Sequence, residues 1–468
     1  MRPGVGKPSA LRFGAIFGSA VVVGQVGQLV WLASGSRTMS ARAFGTVLAA
    51  QSLYTLLQIL VDSGTGLHGA RLAAAGALDD RTRGSVVRLR LQLALVAGAV
   101  AMAVGAAGGL RSVVATAPFA VALVLFGLLN YWESFGHGES RPWSAYIVLR
   151  TGAPAAVASL LLVLGRAFPT FLVGLVECVT IACVASAFRL QPVRDLARAL
   201  RVRHAPRRTA MDIGLPFFLT QISLTAGTVM LNAWGSAAAA GALAVAIRLL
   251  TGVNGFSVIL VSALFPSLAR AHGQESAPSD DRRAIRLAID IVGLATAAAL
   301  TLFLARTGFF VRLLLNRPSG AAQATAILLL GSAAAGGIAL LLTMVLVARR
   351  LENIVPAVYA AATVLTVGAS GAILLFGAGK PELALAVPVL VGQLLTVVVL
   401  AVRAAERLPA AAGSLARGVA AAFALAAVGL VGAVWPASRG PLALASAAAT
   451  LVFAILIVAD RRRSDVPS

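Results

Sequence analysis

Residues 324–347 read ATAILLLGSAAAGGIALLLTMVLV and carry no charged side chain. About 20 apolar residues are enough for a helix to cross the hydrocarbon core of a bilayer. Only helices and closed barrels cross it, because backbone polar groups find no water there, and a run this long and apolar is typical of a helix. The stretch therefore predicts a membrane-spanning helix, and similar runs recur along the whole chain.

The composition points to the same class of protein. Apolar residues make up 59% and charged residues 12% of the 468 residues, whereas a soluble domain carries about 25% charged residues. A soluble globular protein is therefore excluded. No linker between the apolar runs is long enough to form a separate soluble domain.

The apolar runs predict an all-α, polytopic membrane protein with about 14 transmembrane helices, and about 12 to 14 spans fit a chain of this length. They lie near residues 13–34, 43–63, 91–110, 113–132, 143–164, 169–188, 212–233, 242–267, 287–305, 322–347, 354–377, 383–402, 413–434 and 441–459.

The net charge of +22 comes almost entirely from arginine. In a soluble protein it would suggest nucleic acid, but in a membrane protein basic residues hold loops on the cytoplasmic side. Alternate linkers carry most of the Lys and Arg, which predicts a multi-pass protein of the cell membrane with both termini in the cytoplasm. The basic tail Arg461–Arg463 would meet anionic lipid head groups, and no nucleic-acid partner is expected.

The segment 189–211 is rich in arginine and divides the first six predicted spans from the rest. A shift of 200 residues matches Gly14, Phe17, Ile59, Leu60 and Val61 with Gly214, Phe217, Ile259, Leu260 and Val261. A repeat of six plus six spans is typical of transporters. We therefore predict the following organisation: an N-terminal six-helix bundle at 1–188, a basic cytoplasmic linker at 189–211, a second six-helix bundle at 212–402, and two extra helices with a basic cytoplasmic tail at 403–468.

The second span carries a further pattern. It begins after a basic turn and an aromatic–Gly pair, and it ends in an Asp-x-Gly element followed by Arg and Ala. The residues are Arg42, Phe44, Gly45, Asp62, Ser63, Gly64, Arg71 and Ala74, with Pro216, Ala246 to Arg248, Phe265 and Pro266 in the second half. In these stretches the chain resembles the polysaccharide (repeat-unit) flippases of the multidrug/oligosaccharidyl-lipid/polysaccharide exporter (MOP) superfamily. It departs from them at Asn232, where many members carry an acid near the outer end of span seven, so the resemblance does not extend to ion coupling through that acid.

The resemblance implies two six-helix bundles around a central cavity. It implies a bacterial transporter that moves a lipid-linked oligosaccharide of the undecaprenyl-pyrophosphate type from the inner to the outer leaflet by alternating access. The product would enter cell-surface polysaccharide assembly. The expected partners are the lipid-linked oligosaccharide, membrane lipids and polysaccharide-assembly proteins.

Arginines inside the spans are the candidate phosphate contacts. Arg248 lies within span eight and Arg150 within span five, where a charge is costly and usually faces the protein interior or an aqueous cavity. Guanidinium groups match phosphate oxygens with paired donors. The alternatives are snorkelling to the membrane surface and, for Arg248, a structural ion pair. Arg417 lies near the inner end of its span and is expected to snorkel.

Polar groups in other spans supply further candidates. Gln25 and Gln28 are three residues apart and share a helix face, from which their amides would bind sugar hydroxyls or neighbouring helices. Glu177 lies near the middle of span six, where a carboxylate is protonated, paired or facing water. It is a candidate for ion coupling or for pairing with Arg150 or Arg248.

Asp62 and Arg71 lie at or just beyond the inner end of span two, where they would form a helix cap or salt bridge that is structural or part of an inner gate. Asp290, near the inner end of span nine, is expected at the surface. Cys178 and Cys183 lie in one apolar span and are expected to be inert.

Two other functions remain open. A small-molecule or drug exporter of the same superfamily would share the architecture but would favour acids over arginines in its cavity. A membrane glycosyltransferase, polymerase or ligase needs polar groups on a sizeable outer loop, and the predicted outer loops are short. No soluble catalytic motif or phosphate loop occurs, and the four His and two Cys do not suggest a metal site, so we expect neither an enzyme nor a cofactor.

Overall fold

The structure, a computed structural model, describes residues 10–66, 68, 80–107, 110–129, 169–187, 192–202, 207–234, 236–271, 278–316, 319–348, 352–377, 379–407 and 409–464. These residues fold almost entirely into α-helices, and no β-strand occurs among them. The helices are α1 (Ala10–Thr38), α2 (Ala41–Asp62), α3 (Asp80–Ala107), α4 (Leu110–Leu129), α5 (Pro169–Ala187), α6 (Pro192–Arg201), α7 (Arg207–Ala233), α8 (Ala237–Ala271), α9 (Pro278–Leu314), α10 (Gly320–Ala348), α11 (Val355–Phe376), α12 (Pro381–Arg407), α13 (Ala412–Val434) and α14 (Arg439–Ser464).

The predicted fold class is confirmed. Ten of the described helices are long and apolar enough to cross a membrane, by length and composition. Every predicted span coincides with a described helix except 143–164, which lies outside the described residues. The boundaries differ most at the start of α3, which begins at Asp80 rather than 91, and at both ends of α9, which extends well beyond the predicted 287–305. Helix α9 leaves helical geometry at Arg306, with φ −139° and ψ 38°.

Prolines mark where several helices begin. A proline lacks a backbone N–H, and the first turn of a helix leaves its N–H groups unpaired in any case. The prolines in first turns are Pro169, Pro192, Pro278, Pro356 and Pro381.

The stretch 324–347 lies in α10, the most buried of the ten candidate spans, with 89% of its apolar window inside the protein. Helices α9, α12 and α13 pack around it. Gly331 of α10 and Gly429 of α13 face each other so closely that a Cβ on either would lie 2.8 Å from the Cα of the other. Protein rather than lipid therefore covers this helix, which explains why it is apolar on every side.

Contacts group the chain into two units that interleave along the sequence. Unit 1 comprises Met1–Ser34, Leu57–Phe217 and Ile259–Pro266. Within it, α4 packs on α3 and on α5, and the buried side chains include Val86, Ala94, Leu123 and Phe126. The prediction of consecutive bundles at 1–188 and 212–402 stays a prediction.

Helix α6 lies in the predicted basic linker 189–211 and belongs to unit 1. Its buried Ala199 packs on Val87 of α3. A Cβ on Gly84 would lie 3.2 Å from the backbone of Arg198, and Arg88 donates a hydrogen bond to the Val202 carbonyl. The C-terminal part of α6 and Val202, which follows it, therefore pack on the beginning of α3.

Unit 2 comprises Gly35–Leu56, Phe218–Val258 and Ser267–Ser468. Its core gathers buried side chains of α7 to α10 and α12 to α14, among them Leu243, Leu300 and Leu328. Helix α14 packs on α9, where the ring of Phe453 covers Gly293 so closely that a Cβ there would lie 2.5 Å from the ring.

Candidate functional site

Helix α2 ends in a turn that only a few residues can form. Ser63 has φ 38° and Gly64 has φ 72°, so two consecutive residues adopt the left-handed conformation. This conformation is easy for glycine and costs energy for serine. The hydroxyl of Thr65 donates to the Asp62 carbonyl at 2.6 Å, and that of Ser63 donates to the Leu60 carbonyl. These bonds hold the turn in place.

The turn packs directly on α7. A Cβ on Gly64 would lie 2.5 Å from the amide nitrogen of Gly214 and 2.6 Å from the Ala210 carbonyl oxygen. A Cβ on Gly214 would lie 2.0 Å from the carbonyl carbon of Ser63. Both positions need glycine, because any side chain would force the two backbones apart. We call this contact the turn contact.

Arg90 of α3 also binds the turn after α2, through its side chain. Its side chain is 0% exposed, and its Nη1 donates to Asp62 Oδ1 at 2.6 Å and to Thr65 Oγ1 at 3.0 Å. The guanidinium also stands 5.2 Å above the ring of Phe126, within cation–π range. Asp62, predicted to form a helix cap or salt bridge with Arg71, thus has Arg90 as an ion-pair partner. Arg71 itself lies outside the described residues.

Only part of the Arg90 guanidinium is used by these contacts. Its Nε and Nη2 atoms are buried and have no hydrogen-bond partner among the described residues. Leaving a buried donor unsatisfied costs about 1–3 kcal/mol, and more for a charged group.

Glycines also hold the N-terminal end of α2, here against α8. A Cβ on Gly45 would lie 1.7 Å from the Ala237 carbonyl oxygen, and a Cβ on Gly241 would lie 3.2 Å from the Cα of Gly45. Thr46, the next residue of α2, hydrogen-bonds to Asn232 Oδ1 of α7 at 3.4 Å. Asn232 is therefore part of this contact. We call it the start contact.

Arg248 lies half-buried on α8 in unit 2, between the buried Ile247 and Leu250. Asn254 follows on the same helix, about 9 Å further along its axis at ~1.5 Å per residue. The two residues place a guanidinium and an amide at two levels of one helix.

Asn254 and Gln393 of α12 direct their amides at Gly336 of α10. A Cβ on Gly336 would lie 2.9 Å from Asn254 Nδ2 and 3.3 Å from Gln393 Nε2. The amide oxygens of both residues are buried and accept no hydrogen bond from the described residues. Acceptors that receive no donor from the described residues suit a ligand that carries hydroxyl groups.

Hydroxyl groups join α7, α10 and α11 within unit 2. Ser223 donates to Thr363 Oγ1 at 3.0 Å, and Thr363 donates to the Leu219 carbonyl at 3.0 Å. Tyr359 and Thr343 share a buried hydrogen bond of 3.0 Å. These neutral groups tie the helices together without placing a charge in the interior.

Asp290 was expected at the surface, and this expectation is wrong. Its side chain is 1% exposed, and its Oδ1 lies 2.9 Å from Nη2 of Arg417, which is 31% exposed. A buried carboxylate needs such a partner because burial removes its hydration. The arginine that was expected to snorkel therefore also neutralises an acid between α9 and α13.

The remaining predicted site residues lie in unit 1 or outside the described residues. Gln25, Gln28 and Glu177 are half-buried in unit 1, and Cys178, next to Glu177, donates to the Pro118 carbonyl of α4 at 3.0 Å. Arg150 lies outside the described residues. Among the residues that the structure describes, no group of three or more His, Cys, Asp or Glu stands close enough to hold a metal ion.

Sequence reasoning missed Arg90 and Thr65. The predicted third span began at residue 91, which left Arg90 in a loop, whereas α3 begins at Asp80 and brings Arg90 inside the candidate span Gly84–Ala106. The alternation Arg88-Leu89-Arg90-Leu91 was the available signal, since apolar residues already flank both arginines there.

No protein-family model matches the sequence, and no curated protein matches it. Solved structures do match the fold. The eukaryotic MATE transporter AtDTX14 is 14% identical with a TM-score of 0.60, over 87% of this chain and 99% of that one. A MATE protein in complex with MaL6 is 13% identical with a TM-score of 0.59, over 86% of this chain and 98% of that one.

Two further structures carry the name of the superfamily. An outward-facing MATE family transporter of the MOP superfamily is 14% identical with a TM-score of 0.58, over 86% of this chain and 97% of that one. A MOP superfamily transporter from Pyrococcus furiosus, described as having a binding pocket of reverse polarity that suggests a different function, is 14% identical with a TM-score of 0.56 over the same shares. At these identities the likeness shows that this chain has their fold.

Proposed function

We propose that this protein is a membrane transporter of the MOP superfamily that moves a lipid-linked oligosaccharide from the inner to the outer leaflet by alternating access. The fold supports a transporter of this superfamily. The charges inside its spans support an anionic substrate. This second observation distinguishes the proposed flippase from other transporters that share the fold.

Two acids of the described spans are already neutralised by arginines, which favours an anion over a cation at those positions. Asp62 and Asp290 are each ion-paired with an arginine, Arg90 and Arg417. An acid that an arginine already neutralises offers no free negative charge to a cationic drug. A reversed pocket polarity has been linked to a different function in the Pyrococcus furiosus protein, and we extend the same reasoning to this chain.

Arg248 and the amides of unit 2 suit the two parts of a lipid-linked sugar. A guanidinium binds phosphate oxygens with paired donors, so Arg248 would hold the pyrophosphate, and Arg150, outside the described residues, stays a predicted phosphate contact. Asn254 and Gln393 present free amide oxygens to sugar hydroxyls. Arg248 and Asn254 lie about 9 Å apart along α8, from ~1.5 Å per residue. In the proposed complex the pyrophosphate lies at the level of Arg248 and the first sugar at the level of Asn254, while the prenyl chain stays in lipid.

The two glycine contacts of α2 would act as gates. The start contact, at Gly45 and Gly241, would close the outer side, and the turn contact, at Gly64 and Gly214, would close the inner side. Small residues let the two backbones approach closely at each contact, and only a few hydrogen bonds, such as that between Thr46 and Asn232, would have to break for a contact to open. Alternating access then consists of parting one contact while the other stays closed.

The membrane potential is a sufficient driving force for an anion leaving the cytoplasm. Moving one elementary charge across the membrane is worth about 2.3 kcal/mol per 100 mV, and an inside-negative potential favours outward movement of a pyrophosphate. An asparagine at position 232, in place of an acid, agrees with transport that does not couple an ion there.

Complementation of a bacterial strain that lacks its own repeat-unit flippase tests the proposal. Surface polysaccharide would be scored for the wild type, Arg248→Ala and Arg150→Ala at matched membrane levels. Arg403→Ala is the control, since Arg403 is an exposed arginine that pairs with the exposed Glu406. We expect rescue by the wild type and the control, and loss with either span variant.

A small-molecule or drug exporter of the same superfamily is the second candidate, because the matched solved structures include MATE transporters. Drug resistance gained by the strain, without surface polysaccharide, would favour the exporter and reject the flippase. Rescue by all four proteins would keep the flippase and reject the assigned phosphate contacts.

A further inference from the structure

The unused part of Arg90 is the part of an arginine best suited to bind an anion. In a guanidinium, the edge formed by Nε–H and Nη2–H presents two parallel donors that match two oxygens of one oxoanion. In Arg90 the contacts to Asp62 and Thr65 both use Nη1. Nε and Nη2 are the atoms that are buried without a partner among the described residues. The edge with two parallel donors is therefore buried but not used by any described residue.

The edge is held in a fixed position. Asp62, Thr65 and the ring of Phe126 contact the guanidinium on other sides, and the whole side chain is 0% exposed. A buried donor that keeps no hydrogen bond loses its hydration without compensation. The site consequently favours an acceptor that can enter it, and a rigid edge loses little side-chain freedom on binding.

The surroundings favour an acceptor with a negative charge. Asp62 is the acid that contacts Arg90, and 32% of its side chain faces solvent, so water screens part of its charge. Arg88 lies two residues before Arg90 and donates to the Val202 carbonyl, and the basic helix α6 packs on the beginning of α3. Basic side chains of α3 and α6 therefore lie in the same part of unit 1 as Arg90.

We infer that Arg90 anchors an oxoanion-binding site in unit 1 that takes a phosphate or pyrophosphate group on its Nε–Nη2 edge. Arg90 belongs to unit 1, whereas Arg248 belongs to unit 2. Arg90 lies about 9 Å inside the candidate span Gly84–Ala106, from ~1.5 Å per residue, a depth that the phosphate of a lipid carrier or a free phosphate can reach from one surface. The inference does not rest on the proposed function, because binding is measured without transport.

The turn after α2 controls access to the site. Asp62 and Thr65 both contact Arg90, and the residues between them form the turn contact with Gly214. An anion reaches the buried edge when this turn moves. Binding at Arg90 and the state of the turn contact are therefore linked.

Binding to the purified full-length chain in nanodiscs tests the inference. The two probes are inorganic pyrophosphate and undecaprenyl pyrophosphate, each titrated into the wild type and Arg90→Lys in the same zwitterionic lipid. The lysine keeps the charge but loses the two-donor edge, so we expect affinity to fall about tenfold or more. Arg88→Lys, on the same helix, is the matched control and should bind as the wild type does.

Asp62→Asn separates a binding role from a structural one. It removes the acid but leaves the two-donor edge intact, so binding should be retained or tightened. Equal losses in Asp62→Asn and Arg90→Lys would show that the pair is only structural and would overturn the inference. So would equal binding by Arg90→Lys and the wild type, or binding of neither probe by the wild type.

The two probes distinguish the source of the anion. Binding of inorganic pyrophosphate identifies a site for free phosphate compounds, whereas binding of the lipid alone identifies a site for the carrier. If Arg90→Lys does not fold, hydrogen–deuterium exchange of the wild type replaces it. Pyrophosphate or the lipid should then slow exchange in residues 58–66, and an unchanged rate with both probes would overturn the inference.

Discussion

Two ion pairs in the described helices are built in opposite ways. In unit 1 the base is the buried member, with Arg90 0% and Asp62 32% exposed. In unit 2 the acid is the buried member, with Asp290 1% and Arg417 31% exposed. The distances between the charged atoms are similar, 2.6 Å and 2.9 Å, so geometry alone does not reveal the difference.

The difference matters because the two buried groups respond differently to the loss of a partner. A buried carboxylate can take up a proton and become neutral, whereas an arginine stays charged at any pH that a protein tolerates. The acid of unit 1 is therefore indispensable to its partner. Replacing Arg417, the base of unit 2, should therefore destabilise the protein less than removing Asp62.

Asp62→Asn should have the largest effect on stability. It leaves the buried charge of Arg90 without an acid, and breaking a buried pair in this way costs about 3–5 kcal/mol. The free energy of unfolding, measured by reversible denaturation in mixed micelles, should fall by that amount. Glu406→Gln is the control, since it breaks an exposed pair with Arg403 and should cost less than about 1 kcal/mol. Similar losses in the two variants would contradict the account.

Gly214→Ala should come next, because it moves the turn that carries Asp62. The new Cβ would lie 2.0 Å from the Ser63 carbonyl carbon, so the backbones must separate at a cost of about 1–3 kcal/mol. In Gly368→Ala on α11 the Cβ meets nothing within 4 Å, and stability should stay the same or rise by up to about 1 kcal/mol. Thermal unfolding of both variants in one detergent checks the difference, and an equal midpoint would reject the turn contact.

Arg417→Gln tests the other half of the comparison. The glutamine amide can still donate a hydrogen bond to the buried Asp290 carboxylate, so we expect a loss of about 1–2 kcal/mol. The measurement is the same denaturation experiment used for Asp62→Asn. A loss as large as that of Asp62→Asn would break the proposed contrast between the two units.

Thr363→Val should have the smallest effect. It removes the neutral hydrogen bonds to Ser223 and to the Leu219 carbonyl, and such bonds between membrane helices average about 0.6 kcal/mol. Thr396→Val is the control, because its hydroxyl bonds within its own helix, to the Gly392 carbonyl. A loss above that of Arg417→Gln would show that neutral hydroxyls, rather than charges, dominate the interior of unit 2.

The helices were predictable from the sequence, because the length and hydropathy of a span follow from the thickness of a bilayer. The run 324–347 shows this most clearly. Its burial inside the protein was not predictable, since lipid and protein interiors accept the same apolar residues. The turn after α2 was partly predictable, because the Asp-x-Gly pattern placed Asp62 and Gly64 correctly at the end of the helix.

The partners of the charged residues were not predictable. Asp62 and Arg71 were predicted to form a helix cap or salt bridge, which stays a prediction because Arg71 lies outside the described residues, and the ion pair of Asp62 with Arg90 on another helix was not foreseen. Asp290 was assigned to the surface, because its position near a span end does not reveal that α13 brings Arg417 against it. Such pairs depend on which helices touch, and a single sequence does not encode that in its hydropathy.

Flipping in proteoliposomes tests the central claim most directly. The purified chain would be reconstituted with a labelled undecaprenyl-pyrophosphate oligosaccharide, and transfer between leaflets followed by the accessibility of the sugar under an imposed membrane potential. We predict flipping by the wild type, a loss of about tenfold or more with Arg248→Gln, and no accumulation of a cationic dye. Dye transport without any flipping of the lipid would contradict the account and identify the protein as an exporter of cations.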